Sequence, residues 1–257
     1  MAMKFLRASG RLVRVLGHAL HGWWTIRRHF GRMSQPEREA AVQQWAQAML
    51  ARMGVTLEVQ GAESVQGPVL LVANHISWLD ILVMHASRYC RFVSKDDVRD
   101  WPLVGPLATG AGTLYIERGS RRDAQRVVHA MADALQQGQV VAVFPEGTTS
   151  DGTQVLPFHA NLLQSVVATG LPVRPVALAY VDRGTGRPSP APIYVGDDSL
   201  GASVWRTLSE TGLCAVVRYG EAETAQGRDR RALANDLRDR IVDMTRCLLY
   251  TSDAADE

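Results

Sequence analysis

A chain of 257 residues with 46% hydrophobic and 21% charged side chains is long enough to bury one sizeable core and short for two. Its three cysteines form no CxxC pair and no plausible zinc set with the seven histidines, so we expect buried free thiols and no metal site. The net charge of +2 is uneven, because the first 36 residues carry seven basic side chains and no acid. This cationic end predicts contact with an anionic surface, and no recognised nucleic-acid-binding motif accompanies it.

The first predicted element is a helix over residues 3–32, whose longest uncharged run is shorter than the about 20 apolar residues that span a bilayer. One face would be basic and polar, with Arg7, Arg11, Arg14, His18, His21, Thr25, Arg28 and Arg32. The other would be apolar, with Phe5, Leu12, Leu16, Ala19, Trp23, Ile26 and Phe30. Such an amphipathic helix suits a membrane interface, and the alternative is a helix packed on the protein's own core.

A second helix is predicted to begin after Ser34, with Glu37 closing a capping box and Gly54 ending the helix. Residues 55–59 then alternate apolar and polar side chains, as in a half-exposed strand. The short apolar run over residues 68–73 is rich in β-branched residues and predicts a buried strand. The polar segment that follows this run therefore lies at a strand end.

That segment, NHISWLD at positions 74–80, carries the main candidate for catalysis. Ser77 is predicted to cap a helix with Asp80 in its first turn, which leaves His75 just outside the helix. The imidazole can then fold back to the carboxylate, which raises the basicity of the other ring nitrogen and suits a general base. Two alternatives remain open: His75 is an incidental loop residue beside a capping box, or Ser77 is a nucleophile.

The next predicted elements are a strand over residues 91–95 and a stiff apolar loop over residues 101–106. Residues 112–118 predict a strand that delivers Arg118 at its end, and residues 123–137 predict a helix. The sequence therefore brings a second polar group to a strand end.

A third strand end follows residues 140–144, where the chain continues as PEGTTS. Gly147 permits a tight turn there, which would leave Glu146 and backbone amides facing a cleft. Strands are then predicted over residues 176–181, 193–195 and 213–219.

A charged amphipathic helix over residues 228–246 is expected to pack on the sheet. Alternating strands and helices with polar turns at strand ends predict an α/β fold, in which helices cover a mixed β-sheet. There is no GxGxxG or GxxxxGK loop, which argues against a nucleotide cofactor.

The elements divide the chain into three predicted regions. Residues 1–53 form an N-terminal helical region for membrane association, and residues 54–246 form the catalytic domain. Residues 247–257 are interpreted as a non-native tail translated from a sequencing adapter, with no part in the predicted fold.

Taken together, the blocks NHISWLD, GTLYIER, FPEGTTS and LPVRPV resemble, in order and spacing, those of the glycerolipid acyltransferase family, which includes 1-acylglycerol-3-phosphate acyltransferases. The resemblance spans roughly residues 55–220. It implies transfer of an acyl chain from acyl-coenzyme A or acyl carrier protein to the free hydroxyl of a lysophospholipid. The thioester is a co-substrate, and no further cofactor is implied.

The resemblance also implies roles for individual residues. His75 and Asp80 would be catalytic, while Arg118, Glu146, Gly147 and Thr148 would bind the acceptor. Thr149 departs from the commonest family pattern, which has arginine there, and this weakens the case for a glycerol phosphate acceptor.

Three functions follow as hypotheses from these observations. The first is acylation of 1-acyl-sn-glycerol 3-phosphate to phosphatidic acid, and the second is acylation of another lysolipid such as lyso-ornithine lipid. The third is a non-catalytic membrane-binding module that uses only the basic helix. For each, we expect a peripheral or monotopic protein at the cytoplasmic face of the inner membrane.

Overall fold

The computed structural model describes residues 2–61, 67–116 and 121–250. Within them, one sheet contains the strands β1 (Thr56–Gln60), β2 (Val69–Ala73), β3 (Arg91–Lys95), β4 (Leu114–Ile116), β5 (Val140–Val143), β6 (Val173–Asp182) and β7 (Leu213–Tyr219). The helices around it are α1 (Ala2–His29), α2 (Gln35–Met53), α3 (Leu79–Ser87), α4 (Val104–Gly110), α5 (Arg121–Gln136), α6 (Gln164–Thr169), α7 (Leu200–Ser209) and α8 (Arg230–Tyr250).

The sheet has the strand order β1-β7-β6-β2-β5-β3-β4. All neighbouring strands are parallel except β6 and β7, so the predicted mixed α/β sheet is confirmed. Strands β2, β5 and β6 run in the same direction, with Leu71 paired to Ala142 on one side and Arg174 on the other. Because parallel strands share a carboxyl edge, the segments after β2 and β5 emerge side by side.

Strand β2 contributes to the core on both faces of the sheet. Leu71 and Ala73 belong to one cluster of buried apolar side chains, and Leu70 and Val72 belong to another. Successive residues of a strand point to opposite faces, so a strand covered on both sides needs apolar residues throughout. This explains the uninterrupted apolar run from which the strand was predicted.

The second helix forms as its end signals predict. The Ser34 amide donates to Glu37 at 2.7 Å in the capping box, and Gly54 ends the helix with a left-handed φ of 78°. These contacts satisfy backbone groups that a helix end leaves unpaired. Local signals therefore fix both ends of α2.

Two predicted segments were wrong, and one helix was not predicted. Residues 193–195 form no strand, because carbonyls in this segment accept hydrogen bonds from side chains and not from a neighbouring strand. Arg206, for example, donates to the Ile193 carbonyl at 2.7 Å. The predicted stiff loop contains the start of α4. Helix α7 was not predicted, since Ser203 and Thr207 lie buried on its inner face and interrupt the apolar period.

Helix α1 combines the two alternatives that its sequence left open. Ala8, Ala19 and Gly22 are buried against the rest of the protein, and a side-chain carbon at Gly22 would lie 2.4 Å from Trp45 Nε1. The helix therefore packs through these small residues together with part of the predicted apolar face, since Leu12 and Phe30 also pack on core clusters. Its outward side leaves large apolar residues exposed, which we call the apolar stripe: Met3, Leu6, Val13, Leu16, Leu20 and Trp24.

The predicted basic face of α1 is divided by the fold. Arg7 and Arg11 turn inward and donate to the carbonyls of Ser209 at 3.2 Å and Leu208 at 2.9 Å, at the end of α7. Arg14 stays exposed. None of the helices in the described part of the chain combines the length and apolar character needed to cross a bilayer.

The boundaries predicted between regions stay predictions. Residues 1–53 share a core cluster with the sheet, through Ala46 and Met49 among others. Helix α8 runs on to Tyr250, so the backbone marks no boundary at residue 246.

Candidate active site

His75 and Asp80 lie together at the carboxyl end of β2. The His75 Nδ1 atom is 2.7 Å from Asp80 Oδ2, so the predicted contact between imidazole and carboxylate is confirmed. The same oxygen accepts the backbone N–H groups of Ile76 at 2.7 Å and Ser77 at 2.9 Å. Asp80 thus folds the loop back on itself and holds the imidazole by one nitrogen.

The second carboxylate oxygen of Asp80 accepts the hydroxyl of Tyr180, at 2.6 Å from β6. Burial, followed by the charge and hydrogen bond of Asp80, raises the pKa of Tyr180 well above its ordinary value. Tyr180 therefore stays protonated and donates. Asp80 is therefore held by donors on both oxygens, with the imidazole on one of them.

The plane of the His75 ring is fixed by stacking. Its centroid lies 4.1 Å from that of Phe144 at an interplanar angle of 7°, and Phe144 stacks in turn on Phe92 at 5.4 Å. The His75 side chain is 18% exposed. Its Nε2 has no hydrogen-bond partner within the described ranges. One edge of the ring is therefore available to a substrate.

Glu146 holds the two polar turns together. One of its carboxylate oxygens accepts the His75 backbone N–H at 2.7 Å, and the other accepts the Leu156 N–H at 2.8 Å. Burial raises the pKa of Glu146, although both backbone hydrogen bonds lower it. Only 4% of the residue is exposed. Glu146 is thus held in place by backbone amides at both oxygens, and its predicted contact with the acceptor stays a prediction.

The turn after β5 has the geometry expected for Gly147, whose φ is +70°. A side-chain carbon there would lie 2.9 Å from Cδ2 of the exposed His159, which would have to shift, so the positive φ is the stronger reason for glycine. Gly147 and Thr148 are exposed. The Ser150 amide donates to the His75 carbonyl at 2.8 Å, which joins this turn to the catalytic loop a second time.

Residues 192–194 close one side of the catalytic loop. The Tyr194 amide donates to the Ile76 carbonyl at 3.3 Å, and the hydroxyl of Thr149 donates to the Tyr194 carbonyl. The hydroxyl of Ser77 donates to the Pro192 carbonyl. Helix α3 begins at Leu79 rather than directly after Ser77, whose oxygen accepts the Leu79 amide at 3.1 Å.

Comparison with known proteins identifies the family of the chain. Residues 56–179 match the family model described as Acyltransferase. A 1-acyl-sn-glycerol-3-phosphate acyltransferase of Neisseria meningitidis serogroup B is 39% identical over 207 residues, covering 79% of this chain and 80% of the relative. The chain belongs to the acyltransferase family. The resemblance seen in the sequence blocks is therefore confirmed.

Two further similarities bear on this acyltransferase. A lyso-ornithine lipid O-acyltransferase of Pseudomonas aeruginosa is 36% identical over 235 residues, which is 90% of each chain. The crystal structure of a 1-acyl-sn-glycerophosphate acyltransferase from Thermotoga maritima has a TM-score of 0.62 at 20% identity, and the match covers 92% of this chain and 98% of that one. At 20% identity, this match supports the α/β fold of the chain.

The described part of the acyltransferase brings together His75, Asp80, Glu146, Gly147 and Thr148, as expected from two strand ends. Arg118 lies outside the described residues. Ser77 is buried with its hydroxyl committed to a carbonyl, which counts against a nucleophilic role. In the described ranges, no three His, Cys, Asp or Glu residues form a group that could hold a metal ion.

Sequence reasoning missed Tyr180 and Phe144 as parts of this site. Phe144 was recognised as a strand residue, and its stacking on His75 depends on the pairing of β2 with β5. Tyr180 stands in a buried apolar strand, where a tyrosine hydroxyl needs a partner. That need is a usable signal, but the sequence does not say that the partner is Asp80.

Proposed function

We propose that this acyltransferase moves an acyl group from acyl-coenzyme A or acyl carrier protein to the free hydroxyl of 1-acyl-sn-glycerol 3-phosphate, which makes phosphatidic acid. The observation that carries the proposal is the 2.7 Å contact between His75 Nδ1 and Asp80 Oδ2, with the other ring edge open. The names of relatives at 39% identity support the acceptor.

His75 acts as the general base in this reaction. Its Nε2 takes the proton of the acceptor hydroxyl while that oxygen attacks the thioester carbonyl. The C–O ester bond forms, the C–S bond breaks, and His75 passes the proton to the leaving thiolate. Asp80 stabilises the transient imidazolium, and no covalent enzyme intermediate is required.

The exposed turn after β5 binds the acceptor in this proposal. The Gly147 amide donates to the Phe144 carbonyl at 3.2 Å within the turn, so Gly147 leaves space without a side chain and Thr148 offers an exposed hydroxyl beside the His75 loop. Arg118 supplies a guanidinium for the acceptor phosphate, which such a group can bind through two parallel hydrogen bonds. Donors near the developing oxyanion would contribute further stabilisation.

Replacement of the base tests the reaction directly. We expect His75→Ala to lower turnover by about 10²–10⁴-fold, the usual contribution of a positioned acid–base group. Thiol release from acyl-coenzyme A would be followed with lysophosphatidic acid as acceptor, and circular dichroism would check the fold. His129→Ala, at an exposed histidine of α5, is the matched control. Retained activity in folded His75→Ala would remove His75 from this role.

A second candidate function is O-acylation of lyso-ornithine lipid. The relative with that name matches 90% of this chain, more than the 79% matched by the phosphatidate-forming relative. Thr149 also supports it, since a threonine bonded to the Tyr194 carbonyl stands where the family commonly has a cation. An acceptor without a phosphate has less need of that cation.

A panel of purified lysolipids with one acyl donor separates the two candidates. Preference for lysophosphatidic acid by more than about tenfold in kcat/KM supports the first, and the opposite preference supports the second. Binding to lipid without thiol release from any acceptor would support a non-catalytic membrane module instead.

The apolar stripe of α1 is the part of this protein that we propose contacts the membrane. Six large apolar side chains face outward on α1, and the first 36 residues of the chain hold seven basic groups and no acid. Such a surface suits an anionic leaflet, and we propose the cytoplasmic face of the inner membrane.

A further inference from the structure

A basic cleft lies between α1 and α2, away from the His75 loop. It has a volume of about 340 Å³ and is lined by Arg14, Gly17, His18, His21 and Arg52. We call these five residues the α1–α2 cleft. The side chains that line the cleft belong to two arginines and two histidines, so an anion in the cleft would meet basic groups and no carboxylate.

The floor of the cleft is rigid. The His18 ring stacks on Trp45 with centroids 5.3 Å apart, and His18 Nε2 is 3.0 Å from the Trp45 carbonyl oxygen. Trp45 Nε1 donates back to the His18 carbonyl at 3.1 Å. These reciprocal contacts fix the spacing of the two helices, so the cleft is already formed before a ligand arrives.

The two arginines keep donors for a ligand. Arg14 Nε bonds to the Gly10 carbonyl at 3.2 Å, and Arg52 Nη1 bonds to the Ala48 carbonyl at 2.9 Å, both within their own helices. Neither has a carboxylate within ion-pair distance in the part of the chain that the structure describes. Burial, and then the charges of Arg52 and His21, lower the pKa of His18, although its bond to Trp45 raises it. A positive potential in the cleft agrees with this shift.

We propose that the α1–α2 cleft binds a phosphate group, with Arg14 and Arg52 as its charged donors. Guanidinium groups match phosphate oxygens in geometry and charge. The cleft adjoins the apolar stripe at His21, whose ring centroid lies 6.3 Å from that of Trp24. The phosphate can come from the headgroup of an anionic lipid or from a free phosphate compound, and the acceptor site near His75 is not involved.

Histidine NMR on the full chain would test the proposal. The imidazole signals of His18 and His21 would be followed while dihexanoyl phosphatidic acid, below its micelle concentration, or inorganic phosphate is added. We expect saturable shifts that Arg14→Gln/Arg52→Gln weakens at least about tenfold in affinity, as expected for lost charge-assisted bonds. Arg28→Gln/Arg32→Gln removes the same charge from exposed positions outside the cleft and should bind normally.

A second pair of variants guards against misfolding of the double arginine variant. A Cβ atom added at Gly17 or Gly31 would meet no atom within 4 Å. Gly17→Glu places a carboxylate in the cleft and should abolish the shifts, whereas Gly31→Glu adds the same charge beside other arginines and should not.

The two ligands distinguish the source of the phosphate. Tighter binding of dihexanoyl phosphatidic acid identifies a lipid headgroup, and equal or tighter binding of inorganic phosphate identifies a free phosphate compound. Absence of saturable shifts with both, or equal binding by Gly17→Glu and Gly31→Glu, would overturn the proposal. Thiol release with a soluble acceptor should be unchanged in all four variants, so the result is independent of the proposed reaction.

Discussion

The loop at residues 74–80 and helix α1 both carry polar side chains in a recognisable pattern, but the fold uses them differently. In the loop, Asp80 receives four donors and leaves one ring edge of His75 open. On α1, Arg7 and Arg11 donate hydrogen bonds to carbonyls at the end of α7, while Arg14 stays at the surface. The loop concentrates its polar groups on one carboxylate, and the helix distributes its basic groups among separate tasks.

This difference follows from the range of the contacts. His75 and Asp80 are five residues apart, so the turn between a strand and a helix is enough to bring them together. Arg11 and Leu208 are 197 residues apart, and only the packing of α1 on α7 decides their contact. Substitutions in the loop should therefore affect turnover steeply, whereas substitutions on α1 should affect location more than chemistry.

The largest effect is expected for Asp80→Asn. An asparagine oxygen can still accept from His75, Ile76 and Ser77 while its amide donates to the Tyr180 oxygen, so the fold should survive. The negative charge that stabilises the imidazolium is lost, and we expect turnover to fall by about 10³-fold. Thiol release at saturating acceptor measures it.

Asp133→Asn, at an exposed position of α5, is the control for this substitution. A loss of less than about tenfold in Asp80→Asn, or one that Asp133→Asn reproduces, would show that the carboxylate charge is not used in the reaction.

Glu146→Gln should have the next largest effect. A glutamine has one acceptor oxygen, so either His75 or Leu156 loses the acceptor for its backbone N–H. We expect unfolding in urea to show a destabilisation of about 1–3 kcal/mol. Turnover should fall by up to about 10²-fold, because the backbone that carries the base is displaced. Glu58→Gln on the exposed face of β1 is the control.

The pH dependence of stability sharpens this prediction. Burial raises the pKa of Glu146 above its ordinary value of 4.5, so the folded state binds the proton more readily than the unfolded state. The free energy of unfolding of the wild type, relative to that of Glu146→Gln, should therefore fall as the pH rises from 4.5 through the raised pKa. A difference that grows with pH would contradict the assigned burial.

Tyr180→Phe should have a smaller effect. The substitution removes one donor from Asp80 and leaves the other three in place. We expect a loss of about 1–2 kcal/mol in stability and about tenfold in turnover.

Since Tyr180 acts through Asp80, the double variant Asp80→Asn/Tyr180→Phe should be no slower than Asp80→Asn alone. Independent losses that multiply in the double variant would contradict this pathway. Tyr115→Phe, whose hydroxyl contacts Thr109 at 2.9 Å, controls for loss of a tyrosine hydroxyl elsewhere.

The parts of the site that the sequence could predict are those held by local contacts. The strand β2, the fold-back of His75 on Asp80 and the left-handed Gly147 all depend on residues within a few positions of one another. The orientation of Glu146 could not be predicted, because its partners His75 and Leu156 lie on two different segments. A glutamate beside a glycine turn is compatible with both an inward and an outward carboxylate.

The same limit applies to the fold as a whole. Strands with apolar runs and helices with clear caps were predicted, while α7 was missed because Ser203 and Thr207 occupy its buried face. The inner face of α1 was predicted in part, since Leu12, Ala19 and Phe30 of the predicted apolar face pack on the protein. The small residues Ala8 and Gly22 also lie at the contact, and Leu16 of the predicted face is left exposed.

The smallest effect on chemistry is expected for the apolar stripe. Leu16→Gln/Leu20→Gln changes two exposed side chains, so stability should change by no more than about 0.5 kcal/mol per site. Turnover of a soluble short-chain lysolipid should be unchanged. Sedimentation with anionic vesicles should weaken about tenfold or more, because apolar area that enters the interface is lost.

Val59→Gln/Ile81→Gln is the matched control for the stripe, since both side chains are exposed large apolar residues on other elements. Equal vesicle binding by the two double variants would contradict a specific role of the apolar stripe in membrane contact. Weaker binding by the stripe variant alone, with unchanged soluble turnover, would establish that α1 determines location and the loop at residues 74–80 determines chemistry. The two regions would then be separable in function, although they share one hydrophobic core through Ala8 and Leu79.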